Sequence, residues 1–131
     1  MNIYSIGDKL DVSWYPEIVT VLESWKDYDV ELEEFRKAVF VKGINHIKAS
    51  RGNAWIFDPS QAEGSFTPEV QGMIEMDRFP ALAWAGVKYF VTINPAASET
   101  TVDAETESSR GVQRVESPSV EQALDWIKAN P

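Results

Sequence analysis

The chain has 131 residues, of which 44% are hydrophobic, so it is long enough to form a domain with a buried core and too apolar for wholesale disorder. Its formal charge of −9 argues against nucleic acid or an anionic membrane surface as a partner. The absence of cysteine excludes disulfides, thiolate nucleophiles and thiolate metal sites.

The sequence contains no pattern typical of membrane insertion or export. No apolar run approaches the ~20 residues that a membrane-spanning helix requires. Met1–Asp11 has no basic start followed by an apolar stretch, so we expect no signal peptide. No repeat and no linker divides the chain. These features predict a single domain over residues 1–131 that resides in the cytoplasm.

The N-terminal part predicts a β-hairpin. Leu10–Trp14 alternates apolar and polar residues, as a half-buried strand does, and Ile18–Trp25 alternates less regularly. Tyr15–Glu17 separates the two segments and contains a proline, which is typical of a turn. Met1–Ile6 could add an edge strand or remain a loose arm.

A first helix is predicted after Asp29, which we expect to be its N-cap. Its apolar positions fall on one broad side, as in an amphipathic helix: Leu32, Phe35, Val39, Gly43, Ile44 and Ile47. Ala38–Val41 is apolar all round, so part of it must be covered by a second layer of the same chain or by a partner chain. We therefore expect a homodimer, with cover from within the chain as the alternative.

The stretch that follows predicts the centre of the fold. Ala54–Phe57 is an apolar run without alternation and is followed by Asp58, which is typical of a strand buried on both faces in a parallel sheet. A polar loop, Ser60–Phe66, comes next. Thr67 is a good N-cap for a second helix, and we expect Phe79-Pro80 to break or kink that helix.

The last third predicts two more strands and a final helix. Val87–Ile93 and Val112–Glu116 have the composition of strands, and residues 96–109 between them are polar and acidic, consistent with either an exposed helix or a loop. Ser119 and Gln122 are spaced as a capping box. In total, the elements predict an α/β fold with a mostly parallel or mixed central sheet of about four or five strands and helices packed on it.

The order of these elements resembles the STAS, or SpoIIAA-like, superfamily of small bacterial proteins. The motifs that carry the resemblance are Glu33-Glu34-Phe35-Arg36, the strand that ends at Asp58, Phe79-Pro80, Gly86-Val87-Lys88 and Ala123-Leu124-Asp125-Trp126-Ile127. The resemblance covers nearly the whole chain from about residue 10. It implies a protein-binding switch controlled by phosphorylation of a serine at the start of a helix. The Asp-Ser-Ser-Gly run of such switches is absent here, and Ser65 and Thr67 lie in roughly the corresponding place.

The candidate site residues lie after the central strand: Asp58, Ser60, Ser65 and Thr67. In the simplest interpretation Asp58 forms an Asx turn with the Ser60 loop and Thr67 only caps its helix. Alternatively, Asp58 could pair with Glu63 or Glu69 for acid–base work or for binding a hard cation.

The single histidine, His46, lies near the end of the first helix, where a cation is favoured. A Ser-His-Asp arrangement with Ser60 and Asp58 is formally conceivable, but no nucleophile-elbow motif accompanies it. No spacing matches a metal loop, and no glycine-rich phosphate motif occurs. We therefore expect no catalytic residues, no metal and no cofactor.

These observations predict a non-enzymatic regulatory or protein-binding module, with an unidentified protein partner or a second copy of the chain. The rival hypothesis is a small-ligand-binding domain or an enzyme that uses a pocket near Asp58. A pocket lined by convergent polar groups would favour this second hypothesis.

Overall fold

The computed structural model describes residues 1–103 and 109–131, which form a seven-stranded mixed β-sheet with helices on both faces. The strands are β1 (Asn2–Ile6), β2 (Leu10–Tyr15), β3 (Thr20–Trp25), β4 (Ala54–Asp58), β5 (Tyr89–Ile93), β6 (Thr101–Val102) and β7 (Gln113–Ser117). The helices are α1 (Leu32–Phe35), a π-helix (Arg36–Ile44), α2 (Asn45–Ala49), α3 (Pro68–Trp84) and α4 (Val120–Ala129). The predicted α/β class is confirmed.

The strand order is β1-β2-β3-β4-β5-β7-β6. The four central strands β3, β4, β5 and β7 are parallel, whereas β1, β2 and β6 pair antiparallel at the two sides. The sheet is larger than the four or five predicted strands because both edges carry a strand that the sequence left undecided. One is β1, and the other is β6, which has only two residues and lies in the polar segment 96–109. Residues 104–108 of that segment lie outside the described residues.

The central strand is where the sequence places it. β4 is the middle strand of the sheet, and Ala54, Trp55 and Ile56 are fully or almost fully buried. Phe57 is only partly buried. The prediction of an interior strand is confirmed, and the partial exposure of Phe57 marks the point where one face of the sheet is left open.

Two helical layers cover the sheet. The segment from α1 to α2 and helix α3 cover one face and enclose the larger core, which includes Trp25, Phe35 and Trp55. Helix α4 covers the other face with Ala123 and Ile127. Ser119 caps this helix, because its hydroxyl accepts a hydrogen bond from the Gln122 backbone N–H at 3.1 Å.

The first helix differs from the prediction at its start and in its middle. Its N-cap is Glu31, which forms a capping box with Glu34, so the expected Asp29 cap is wrong. The central nine residues form a π-helix, which adds a residue to a turn. The residues predicted on the apolar side of this segment, Val39, Gly43 and Ile44, are buried, and Lys42 is exposed.

Helix α3 starts as predicted and continues further than predicted. The Thr67 hydroxyl accepts a hydrogen bond from the Val70 backbone N–H at 3.3 Å. The helix continues without a break through Pro80 to Trp84. Proline removes one backbone hydrogen bond, and the burial of Arg78 and Leu82 on either side holds this part of the helix against the sheet.

Candidate ligand-binding pocket

The parallel strands bring two rows of side chains to the face of the sheet that α3 covers. Side chains two residues apart on a strand share a face, and the strand registers align them across the sheet. The first row is Val21, Trp55, Phe90 and Arg114. The second row is Glu23, Phe57, Thr92 and Glu116. Polar and charged residues thus interrupt an otherwise apolar face.

Glu23 has no solvent exposure and lies at the centre of a hydrogen-bond network. Its Oε2 atom accepts from Trp25 Nε1 at 2.5 Å and from Arg78 Nη2 at 3.1 Å. Its Oε1 atom accepts from Trp55 Nε1 at 2.8 Å. A buried carboxylate requires a counter-charge and hydrogen-bond donors, and helix α3 and strands β3 and β4 supply both.

Arg78 is only 5% exposed, yet it is not fully partnered. One of its nitrogens bonds to Glu23, whereas its Nε atom is buried without a hydrogen-bond partner. Its guanidinium carbon lies 5.3 Å from the ring centroids of both Phe57 and Phe90. These distances are within the range of cation–π contacts. A buried donor without a partner is uncommon in proteins, so the Nε atom sets Arg78 apart from the other members of the Glu23 network.

Arg78 lines a pocket of about 370 Å³ that is partly open to solvent, which we call the Arg78 pocket. Its other lining residues are Tyr28, Phe57, Phe66, Gln71, Ile74, Phe79, Phe90, Thr92 and Arg114. The volume is at the lower end of the range of small-molecule sites, and the mixture of aromatic walls with a few polar groups is typical of such sites.

The charged groups that line the Arg78 pocket are both arginines. Arg78 is paired with Glu23, whereas Arg114 takes part in neither of the ion pairs in the described part of the chain. The Arg114 guanidinium lies 5.4 Å from the centroid of the Phe79 ring. Glu116 lies on the same face of the sheet but does not line the pocket. The pocket is therefore locally positive in a chain with a charge of −9.

Tyr28 forms one wall together with Phe66, with the two rings stacked at 4.1 Å. Desolvation by burial, followed by the charge of Glu23, raises the pKa of the Tyr28 hydroxyl to about 12, with a smaller contribution from Asp58 and an opposing one from Arg78. At neutral pH this hydroxyl is protonated and can donate a hydrogen bond into the pocket.

None of the candidate residues from the sequence lines the Arg78 pocket. Asp58 Oδ1 accepts from the Ser60 backbone N–H at 2.9 Å, which is the Asx turn expected as the simplest interpretation. Thr67 caps α3, and Ser60 and Ser65 are exposed. Ser65 and Thr67 flank Phe66 in the sequence, and Phe66 does line the pocket.

His46 lies in a different environment, with its ring edge-to-face against Trp14 at 4.7 Å between centroids. Its Nε2 atom is buried without a hydrogen-bond partner. Asp58 bonds to its own loop, so neither residue orients the other in the way that a catalytic triad needs.

Sequence reasoning did not find Glu23, Arg78 and Arg114. One signal was present for Glu23, because it stands between Leu22 and Trp25 on a strand whose other positions are mostly apolar. The spacing from Val70 to Arg78 to Leu82 placed Arg78 on the buried side of a helix, where a charged residue needs a partner. Arg114 has no such signal, because an arginine on a strand near the sheet edge is ordinary.

No family model, no curated protein and no solved structure matches this chain. The STAS-like resemblance of the sequence therefore stays a prediction. No helix among residues 1–103 and 109–131 is long and apolar enough to cross a membrane. The same residues contain no group of three or more histidine, aspartate or glutamate side chains that could hold a metal ion.

Proposed function

We propose that this chain is a small-molecule-binding domain whose ligand occupies the Arg78 pocket. The observation that carries the proposal is the buried Nε of Arg78, which has no partner and belongs to a side chain that lines an aromatic pocket. The aromatic walls can pack against a ligand and so provide affinity, and the arginine donors can orient the same ligand.

Binding without catalysis is the form of this function that the lining residues support. General acid–base chemistry needs a group that titrates near neutral pH and reaches the reacting atom. None of the described residues that line the walls is a histidine, a carboxylate or a cysteine. Tyr28 and Thr92 are the described lining residues with a hydroxyl. The raised pKa of Tyr28 keeps its hydroxyl protonated at neutral pH, where it is a poor base.

Blocking the pocket tests this proposal. Gln71 is exposed on α3 and lines the pocket. Gln71→Trp therefore fills part of the pocket with an indole ring and leaves the buried core unchanged. Glu121→Trp on α4 is the matched control, because it adds the same side chain at an exposed position on the opposite face. Ligand-observed NMR with a mixed collection of small organic acids, amines and neutral aromatic compounds is the measurement.

We expect compounds that bind the unmodified chain and the control to lose binding to Gln71→Trp. Two results would reject the proposal: no compound binding the unmodified chain at millimolar concentration, or equal binding to the chain and to Gln71→Trp.

A regulatory, protein-binding role is the second candidate, and the exposure of Ser65 two residues before the α3 cap favours it. A phosphate at Ser65 would lie near the positive end of α3, where free N–H groups favour anions. The nearby carboxylates of Glu63 and Glu69 oppose it. Mass spectrometry of the chain isolated from its source cell tests this role, and finding Ser65 and Thr67 always unmodified would reject the switch.

A further inference from the structure

Building on the proposed binding function, we infer that the ligand of the Arg78 pocket is an aromatic monocarboxylate: a flat apolar ring system that bears one carboxylate. Three features of the pocket lead to this class, namely its net charge, the placement of its donors and the nature of its walls.

The net charge of the pocket favours a ligand that carries a single negative charge. Glu23 is buried beside Arg78 and compensates it, so Arg114 provides a positive charge in the lining that has no ion-pair partner among residues 1–103 and 109–131. A monoanion matches that charge. A phosphate monoester carries up to about two negative charges. Its second negative charge would have no positive partner and would be repelled by the Glu23 carboxylate. A cationic ligand would meet two guanidinium groups.

The donors of the pocket select a carboxylate. Arg78 lines the pocket and its Nε atom has no partner, and in the described part of the chain Arg114 offers a guanidinium that takes part in no ion pair. Guanidinium groups bind carboxylates through charge-assisted hydrogen bonds, which are shorter and stronger than neutral ones. The Tyr28 and Thr92 hydroxyls and the Gln71 amide are further donors that line the same space.

The walls of the pocket select a flat ring. Phe57 and Phe90 stack with 6.3 Å between centroids, and Phe79 meets Phe90 edge-to-face at 5.3 Å. Phe66 and Tyr28 form the facing aromatic pair. Rings of this kind bind aromatic ligands through offset and edge contacts that aliphatic chains cannot make.

The test compares three probes with the same ring system: 2-naphthoate, 2-naphthamide and 2-naphthyl phosphate. The amide keeps the shape of the carboxylate and removes its charge. Calorimetry measures each dissociation constant for the unmodified chain, for Arg114→Gln and for Lys42→Gln. Arg114 and Lys42 are both exposed, so both variants should fold, and each removes one positive charge from the chain.

We expect the carboxylate to bind about tenfold more tightly than the amide, the ratio that separates charge-assisted from neutral hydrogen bonds. Arg114→Gln should reduce this ratio to about two, whereas Lys42→Gln should leave it unchanged. The phosphate should bind no more tightly than the carboxylate.

The results separate the ligand class from the binding function itself. Equal affinities for the carboxylate and the amide, or a phosphate that binds more tightly than both, would overturn the monocarboxylate assignment while leaving a binding pocket. An unchanged carboxylate preference in Arg114→Gln would also overturn it. If none of the three probes binds at millimolar concentration, both the assignment and the proposed function fail for flat aromatic ligands.

Discussion

Glu23 and Arg78 are both buried, so removing one of them leaves the other charge inside the protein without its partner. Arg78→Met is expected to lower the free energy of unfolding by about 3–5 kcal/mol, because Glu23 then retains only the two indole N–H donors. Adding Glu23→Gln should recover roughly 1–3 kcal/mol, since it removes the unpaired buried charge and its amide oxygen still accepts from one of the two indoles. Urea unfolding at neutral pH measures Arg78→Met, Glu23→Gln and the double variant.

The exposed ion pair between Arg36 and Glu33 provides the control for this experiment. Arg36→Gln should cause no measurable loss of stability, because surface ion pairs are screened by water and salt.

The double variant of Glu23 and Arg78 decides whether the two residues act as a pair. If its loss of stability equalled the sum of the two single losses, they would not.

Tyr28 should make the stability of the protein fall at high pH. Its pKa is about 12 in the folded chain, against 10.0 as its ordinary value. Between these two values the unfolded chain releases the proton while the folded chain keeps it, so the free energy of unfolding decreases as pH rises. The loss should be roughly 1–2 kcal/mol once the partial exposure of the ring is allowed for.

Tyr28→Phe is the control for this pH dependence, since it keeps the ring and removes the proton. Thermal unfolding of both proteins from neutral pH to pH 12 should show the extra loss above pH 10 only in the unmodified chain. If the unmodified chain and Tyr28→Phe lost stability equally as the pH rises, the raised pKa of Tyr28 would be contradicted.

At the scale of elements, the contact between the π-helix and β4 depends on Gly43. A methyl group at this position would lie 2.6 Å from Trp55 Cη2. Gly43→Ala should therefore destabilise the protein by roughly 1–3 kcal/mol through overpacking, although alanine is normally the better helix former.

Gly72 on α3 is the matched helical control, because nothing lies within 4 Å of the corresponding position. Gly72→Ala should stabilise the protein by about 0.5–1 kcal/mol. Chemical unfolding of both variants tests the pair, and a stabilising Gly43→Ala would show that the helix can move away from Trp55.

The elements that the sequence predicts well are those whose burial repeats with a simple period. Ala54, Trp55 and Ile56 are apolar because both faces of β4 are covered there, and α4 has a regular stripe through Ala123 and Ile127. The π-helix departs from the 3.6-residue period of the predicted α-helix, although Val39, Gly43 and Ile44 are buried as predicted. Pro80 predicts a break or kink on local grounds, but α3 continues through it because the helix packs against the sheet.

The Arg78 pocket could not be predicted because its parts come from distant places in the sequence. Glu23 and Arg78 are 55 residues apart, and only the parallel register of the strands and the placement of α3 bring them together. The residues after β4 were predicted as the site because strand ends commonly carry polar groups. In the structure, Asp58 and Thr67 instead bond to backbone N–H groups of their own loop and helix.

For the whole molecule, the homodimer expected from Ala38–Val41 stays a prediction. The chain itself buries Ala38 and Val39, and Val41 is 38% exposed. Trp84 and Met76 on α3 are exposed apolar residues, which are often found in contacts between proteins. Light scattering at micromolar concentration measures the mass, and a value near 14.7 kDa would reject the dimer.

The presence of a ligand site at the Arg78 pocket can be tested directly with amide NMR spectra of the whole chain during a titration with 2-naphthoate. We expect the largest shifts at Thr92 and Arg114 and at the indole N–H groups of Trp25 and Trp55, which report on Glu23. Residues of α4 on the opposite face should not shift. No shift at the pocket, or shifts centred on α4, would contradict a ligand site at Arg78.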